Sequence, residues 1–140
     1  MPAKTVALTD TKTQTPLPTG YSLRAKINGG NWISRSGAAR DHWFTIRVFN
    51  TAGERIGNGS YSYSDKGNLI CRYIGIRESD RKLGLATAMH LEAERLSGKT
   101  LHPSPDQTDL GRSIWMRSDR PFGRGVRAPR RRTVEQRGYW

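Results

Sequence analysis

With 140 residues, 34% hydrophobic content and four Trp, the chain has the size and apolar content of one small domain with tails, and too little for two full cores. Lys and Arg total 24 against 12 Asp and Glu, and the resulting net charge of +12 favours acidic or polyanionic partners. A single cysteine, Cys71, excludes an intramolecular disulfide; no apolar stretch reaches membrane-spanning length, and Met1 to Gly20 is Thr-rich without the apolar run of a signal peptide. The expected setting is therefore cytoplasmic, with no membrane partner.

In chain order, residues 1–19 combine a Thr-Lys-Thr-Gln-Thr run with prolines and read as a flexible lead-in. Tyr21, Leu23, Ala25 and Ile27 alternate with Ser22, Arg24 and Lys26, the period of a half-buried strand that ends at Gly29-Gly30. Asn31 to Asp41 is a loop or a helical turn. His42 to Phe49 is a second strand, with Phe44, Ile46 and Val48 on one face and Trp43, Thr45, Arg47 and Phe49 on the other. Asn50 to Gly53 forms a hairpin turn into Arg55 to Ser64, where Gly57 and Gly59 point to a bulge or a close backbone approach. Asp65 to Asn68 turns the chain into the strand Leu69 to Ile76, which carries Cys71 as a small packed hydrophobe rather than a catalytic thiol.

After that strand comes Arg81-Lys82-Leu83-Gly84-Leu85-Ala86. Beyond it, Ala86, Met89, Ala93 and Leu96 fall at steps of three and four, the spacing of a helix from Leu83 to Ser97 that Gly98 closes as a left-handed cap. Glu92, Glu94 and Arg95 lie off the apolar stripe. The start of a helix exposes unpaired amides and partial positive charge, so an anion docks there readily; Gly84 and Ala86 leave room, while Arg81 and Lys82 add cationic donors. In isolation such a hexapeptide is equally an ordinary strand-to-helix connection. Lys99 to Pro103 reads as a further strand and Asp109 to Met116 as a short helix, giving an α+β domain over residues 20–116 with a mixed, mostly antiparallel sheet.

The strand Tyr73-Ile74-Gly75-Ile76, polar Arg77 to Asp80, and Arg81, Gly84 and Ala86 at the positions of a Q/R-x-x-G-x-G/A motif together resemble the GCN5-related N-acetyltransferase (GNAT) superfamily, over roughly His42 to Met116. The small size and Arg-rich end also look like compact GNAT-like proteins encoded by bacteriophages, which would make the setting a host cytoplasm. The resemblance implies acetyl-CoA or a related acyl-CoA as cofactor and an amine-bearing acceptor, such as a protein lysine, as substrate. It assigns the pantetheine edge to Ile74, Gly75 and Ile76 and the phosphate seat to Arg81, Lys82, Leu83, Gly84, Leu85, Ala86 and Thr87. The thioester slot would lie between Tyr73 to Ile76 and Thr100 to His102. The chain departs from the family pattern in three ways. Leu69-Ile70 stands where several relatives carry a carboxylate base, and Trp115 where many carry a tyrosine acid. The fourteen residues between Ile27 and His42 are too few for the usual pair of helices. Glu78 and Tyr73 are the nearest titratable substitutes as catalytic groups.

His42, His90 and His102 are scattered without metal-ligand spacing, so no metal is expected; His90 reads as a packing residue beside the helix stripe. The last segment, Arg117 to Trp140, holds eight Arg and two acidic residues. Arg124, Arg127, Arg130, Arg131, Arg132 and Arg137, interleaved with Gly, Pro and aromatics, suit contact with RNA, DNA or an acidic host protein. Two functions follow from the sequence. One is an acyl-CoA-dependent N-acyltransferase. The other is a GNAT-like scaffold without chemistry that binds nucleic acid or a host complex through its tail.

Overall fold

The computed structural model describes residues 17–27, 43–81, 83–104, 107 and 109–127. Most of the N-terminal lead-in, the connector after the first strand, Lys82, and the tail positions Arg130, Arg131, Arg132 and Arg137 lie outside the described residues. The elements run β1 (Ser22–Ile27), β2 (Phe44–Phe49), β3 (Arg55–Tyr63), β4 (Leu69–Ile76), a single 3-10 turn (Glu78–Asp80), α1 (Leu85–Ser97), β5 (Leu101–His102) and α2 (Asp109–Trp115). They form an α+β domain on a five-stranded sheet of order β1-β2-β3-β4-β5. The first four strands are antiparallel and β5 joins β4 in parallel.

The alternation in the strands decides which face is covered. Leu23 and Ala25 from β1, Phe44, Ile46 and Val48 from β2, Tyr61 from β3 and Ile74 and Ile76 from β4 are buried in one core with Leu85, Met89, Ala93 and Leu96 of α1. Phe44 and Tyr61, paired across β2 and β3, stack with ring centroids 5.3 Å apart. Both readings of the β3 glycines are present. A side chain on Gly59 would stand 3.3 Å from Met89 of α1, one on Gly57 would stand 2.5 Å from the Gly75 carbonyl, and register shifts fall at Val48/Phe49 and Ser60/Tyr61. These bulges add local twist to the sheet under α1.

The sequence places Glu92, Glu94 and Arg95 off the apolar stripe, yet that flank of α1 is covered as well. Glu92 is fully buried, and its carboxylate accepts from Arg95 Nε at 3.0 Å. Glu94 Oε2 accepts the Leu101 amide at 2.7 Å and the Gly123 amide at 2.8 Å, pinning both the start of β5 and the C-terminal segment to the helix. The covering layer comes from α2 and from residues that the sequence assigns to the Arg-rich tail. Phe122 has no exposed surface and meets Trp115 and His90 edge-on, with centroids 5.2 Å and 4.7 Å away. Gly123, at φ 62°, lies so close to Trp115 that a Cβ would come within 2.5 Å of the indole.

His90 is a packing residue here. It is buried, its Nδ1 shares a 2.8 Å hydrogen bond with Tyr61 Oη, and burial lowers its pKa to about 3. An unfolded imidazole titrates near 6.5, so the unfolded chain binds the extra proton between these values. Stability is expected to fall as the pH drops from about 6.5 toward 3, and His90→Gln to flatten that slope; urea melts across a pH series measure it. Replacing Glu94 by Ala strips two backbone amides of their acceptor. It is expected to cost about 2 kcal/mol or more in the same melts, whereas the exposed Glu78→Ala changes stability by less than about 0.5 kcal/mol.

Candidate functional site

The site forms where β4 ends and α1 begins. Helix α1 starts at Leu85, two residues later than the periodicity predicts. Gly84 occupies the N-cap in a left-handed conformation, φ 79°, which a helical residue cannot adopt. The first intrahelical bond runs from the Ala88 amide to the Gly84 carbonyl at 3.0 Å. The amides of Leu85, Ala86 and Thr87 therefore precede the hydrogen-bonded ladder. No side chain among the described residues caps them, and the first turn carries no acidic residue. A Cβ built on Gly84 meets nothing within 4 Å, so open space adjoins the N-cap.

That space is a cavity of about 470 Å³. One wall is Ile76, Asp80, Arg81 and the turn from Gly84 to Thr87; the other is Leu110, Ser113, Ile114 and Arg117 from α2 and its end. Arg81 lies at the surface with Nε donating to the Ile76 carbonyl at 2.8 Å, which holds the guanidinium beside the helix start. Arg117 faces the cavity from the far wall and also pairs with Asp119 at 3.2 Å. Asp80 brings a carboxylate to an otherwise cationic rim, but its charge is committed. Tyr21 Oη donates to one oxygen and Arg77 Nε to the other, each at 2.8 Å. The Tyr21 hydrogen bond and then Arg77 hold this carboxyl below the usual carboxylate range. Sequence reasoning missed Asp80 and the α2 wall. Leu110, Ser113, Ile114 and Arg117 do fall at i, i+3, i+4 and i+7, the signal of one helix face.

The edge of β4 beside the cavity is half used. Only Leu69 and Ile70 pair with β5, and Cys71 to Ile76 extend past it with no β5 partner. Of the sequence-derived edge, Ile74 and Ile76 are buried toward α1. The Tyr73 ring lies across Gly75, filling the place where a Cβ would stand on that face of the sheet. Deeper in, Cys71, Tyr73, Ile74, His90, Gly111 and Trp115 bound a void of only about 10 Å³, room for no more than one water.

Neither proposed catalytic group lines the large cavity. Tyr73 is half exposed on the sheet face away from α1, and Glu78 is exposed in the 3-10 turn. Trp115 is buried against Phe122 beneath the Arg120 guanidinium, 4.7 Å from its ring, and acts as core. Cys71 is half buried, its thiol donates to the Tyr73 carbonyl at 3.2 Å, and burial pushes its pKa up to about 12, so it is no nucleophile at neutral pH. His102 Nδ1 donates to its neighbour, the Thr100 carbonyl, at 3.0 Å. Among the described residues no three His, Cys, Asp or Glu side chains gather as a metal site, and no helix is long and apolar enough to cross a membrane. Arg124 and Arg127 of the tail are exposed.

No protein-family model matches the chain, and no curated protein matches it significantly. The chemistry of the site rests on its own geometry: uncapped helix amides, Arg81 and Arg117 on the rim, and an apolar floor from Leu85, Ala86 and Ile114. Such a site accepts an elongated ligand with an anionic group at one end. Gly84→Ala meets no steric clash but must hold a left-handed backbone. It is expected to lower stability by about 1–2 kcal/mol in a thermal melt without closing the cavity.

Proposed function

We propose that the cavity seats the diphosphate of acetyl-CoA or a related acyl-CoA, and that the protein is a GNAT-type N-acyltransferase acting on an amine. The single observation that carries this reading is the coincidence of the R-x-x-G-x-A run with an open, uncapped helix start beside the part of β4 that β5 leaves uncovered. In this reading the amides of Leu85 to Thr87 and the guanidinium of Arg81 hold the diphosphate, with Lys82 adjoining them in sequence. The backbone edge of Ile74 and Gly75, which β5 does not cover, takes the amides of the pantetheine arm as a partner strand would, next to the Ile76 carbonyl that Arg81 Nε already holds at 2.8 Å.

Acyl transfer requires the acceptor nitrogen to attack the thioester carbonyl, the carbon–sulfur bond to break, and the amine proton to leave as the thiolate takes one up. An acceptor lysine has a reference pKa of about 10.4 and must first lose its proton. With Tyr73 and Glu78 off the cavity, solvent water is the proton carrier, and the protein's contribution is orientation of the two reactants together with backbone donors at the carbonyl oxygen.

The void of about 10 Å³ at the inner end of β4, together with the buried Trp115, favours a second reading. In it the domain keeps the cofactor-binding shape without chemistry and serves as a scaffold for nucleic acid or a host complex through its basic tail.

Thermal melts separate these readings from an empty cavity. Acetyl-CoA at a hundredfold excess over its dissociation constant is expected to stabilise the native state by about 2.7 kcal/mol, and Gly84→Glu, which charges and fills the phosphate seat, to abolish the shift while Gly84→Ala retains it. Absence of any shift at millimolar acetyl-CoA would overturn the cofactor assignment. Release of free CoA thiol in the presence of a polyamine or a lysine-rich protein identifies the transferase; binding without release identifies the scaffold.

A further inference from the structure

The sheet has a second face, away from α1, and its chemistry is distinct. Strand register aligns Arg24 with Arg47 and Asn58 in one cross-sheet row, and Lys26 with Thr45, Ser60 and Tyr73 in the next. One step further, the Arg72 guanidinium lies over the Trp43 ring, 5.2 Å from its centroid, and is held there by a 2.7 Å bond from Nε to Ser62 Oγ. At the opposite end Arg24 lies over Phe49 at 4.9 Å. Trp43 and Tyr73 are each 50% exposed, an unusual state for rings this large in a domain that buries Phe44, Tyr61, Trp115 and Phe122 completely or nearly so. The Tyr73 ring is laid along the sheet by the absence of a side chain at Gly75. Strands β1 to β4 contain no Asp or Glu at all.

We propose that this face binds single-stranded nucleic acid, with bases stacking on Trp43 and Tyr73 and phosphates meeting Arg72 and Arg24. Unpaired bases present flat faces to exposed rings, and a backbone with one charge per nucleotide matches strands that carry cations and no carboxylate. A duplex hides its base faces and would leave both rings without a role. An acidic protein would use the cations alone. The surface lies across the sheet from the acyl-CoA cavity and does not depend on that reading.

Fluorescence anisotropy of the full chain with labelled oligo-dT and oligo-U of about twelve nucleotides, across about 0.05–0.2 M salt, tests the assignment. The double change Trp43→Ala, Tyr73→Ala is expected to weaken binding about tenfold or more, and Trp43→Phe to retain it within about threefold. Arg72→Ala should reduce the salt dependence by about one phosphate contact. Binding of either oligomer that the double change weakens supports the proposal. Equal affinity of the parent and the double variant, or polyglutamate competing as well as the oligonucleotides, would overturn it in favour of non-specific charge attraction. Ultraviolet cross-linking of the unaltered chain to oligo-dT requires no variant to fold: cross-links on the peptides containing Trp43 and Tyr73 are expected, and cross-links confined to the Arg-rich tail would also overturn the proposal.

Discussion

The carboxylate of Glu94 is the joint on which the two halves of the molecule depend. Two buried backbone amides, from Leu101 and Gly123, share one of its oxygens. Because hydrogen bonds to a charged acceptor are among the stronger ones a protein makes, the end of α1, the start of β5 and the C-terminal segment are held as one unit. Strand β5 begins with its first amide committed to the helix and pairs with β4 only through Leu69 and Ile70. The rest of β4 has no β5 partner, and α2, reached through β5, packs beside it and closes the far side of the cavity.

A helix start with no cap is costly in a closed interior and useful at an opening. In α1 the uncapped first turn lines a cavity, and Asp80, the one carboxylate among the residues that line it, has its oxygens occupied by Tyr21 and Arg77. The Tyr21 bond reaches 59 residues along the chain, so the turn that carries Arg81 is anchored to the first described strand as well as to its neighbours. The result is a rim whose cations, Arg81 and Arg117, act on the cavity without a competing free anion among the described residues. On our proposal this rim would seat a coenzyme diphosphate, and the opposite face of the sheet, whose strands carry no carboxylate, would be a separate surface for a polyanion.

Much of the scaffold was legible in the chain. Alternation located β1 and β2, and the turns at Asn50 to Gly53 and Asp65 to Asn68 located β3 and β4, each to within two residues at its ends, because strand side chains alternate between faces and tight turns bound the strands. Gly98 marked the end of α1 correctly, through a left-handed cap at φ 72°. At the other end the same kind of residue misled, since the apolar period ran through Leu83 although Gly84 interrupts it. The roles of Glu92 and Glu94 were not legible, because an acidic residue off an apolar stripe reads as solvated until something covers it. That cover is α2 with Phe122, whose positions relative to α1 follow from contacts far apart in sequence.

The amino-acid sequence by itself determined the order of elements, the helix start that carries Arg81 and Gly84, and the excess of cations, because these depend on local periodicity, backbone freedom and composition. Only the tertiary structure decided that Tyr73 lies away from the cavity, that Trp115 is core, that α2 supplies the second wall, and that Trp43, Arg72 and Tyr73 lie on one face of the sheet. Those outcomes depend on strand register, on bulges that shift it, and on which surfaces remain uncovered once the layers pack. None of these is a property of any short stretch of chain.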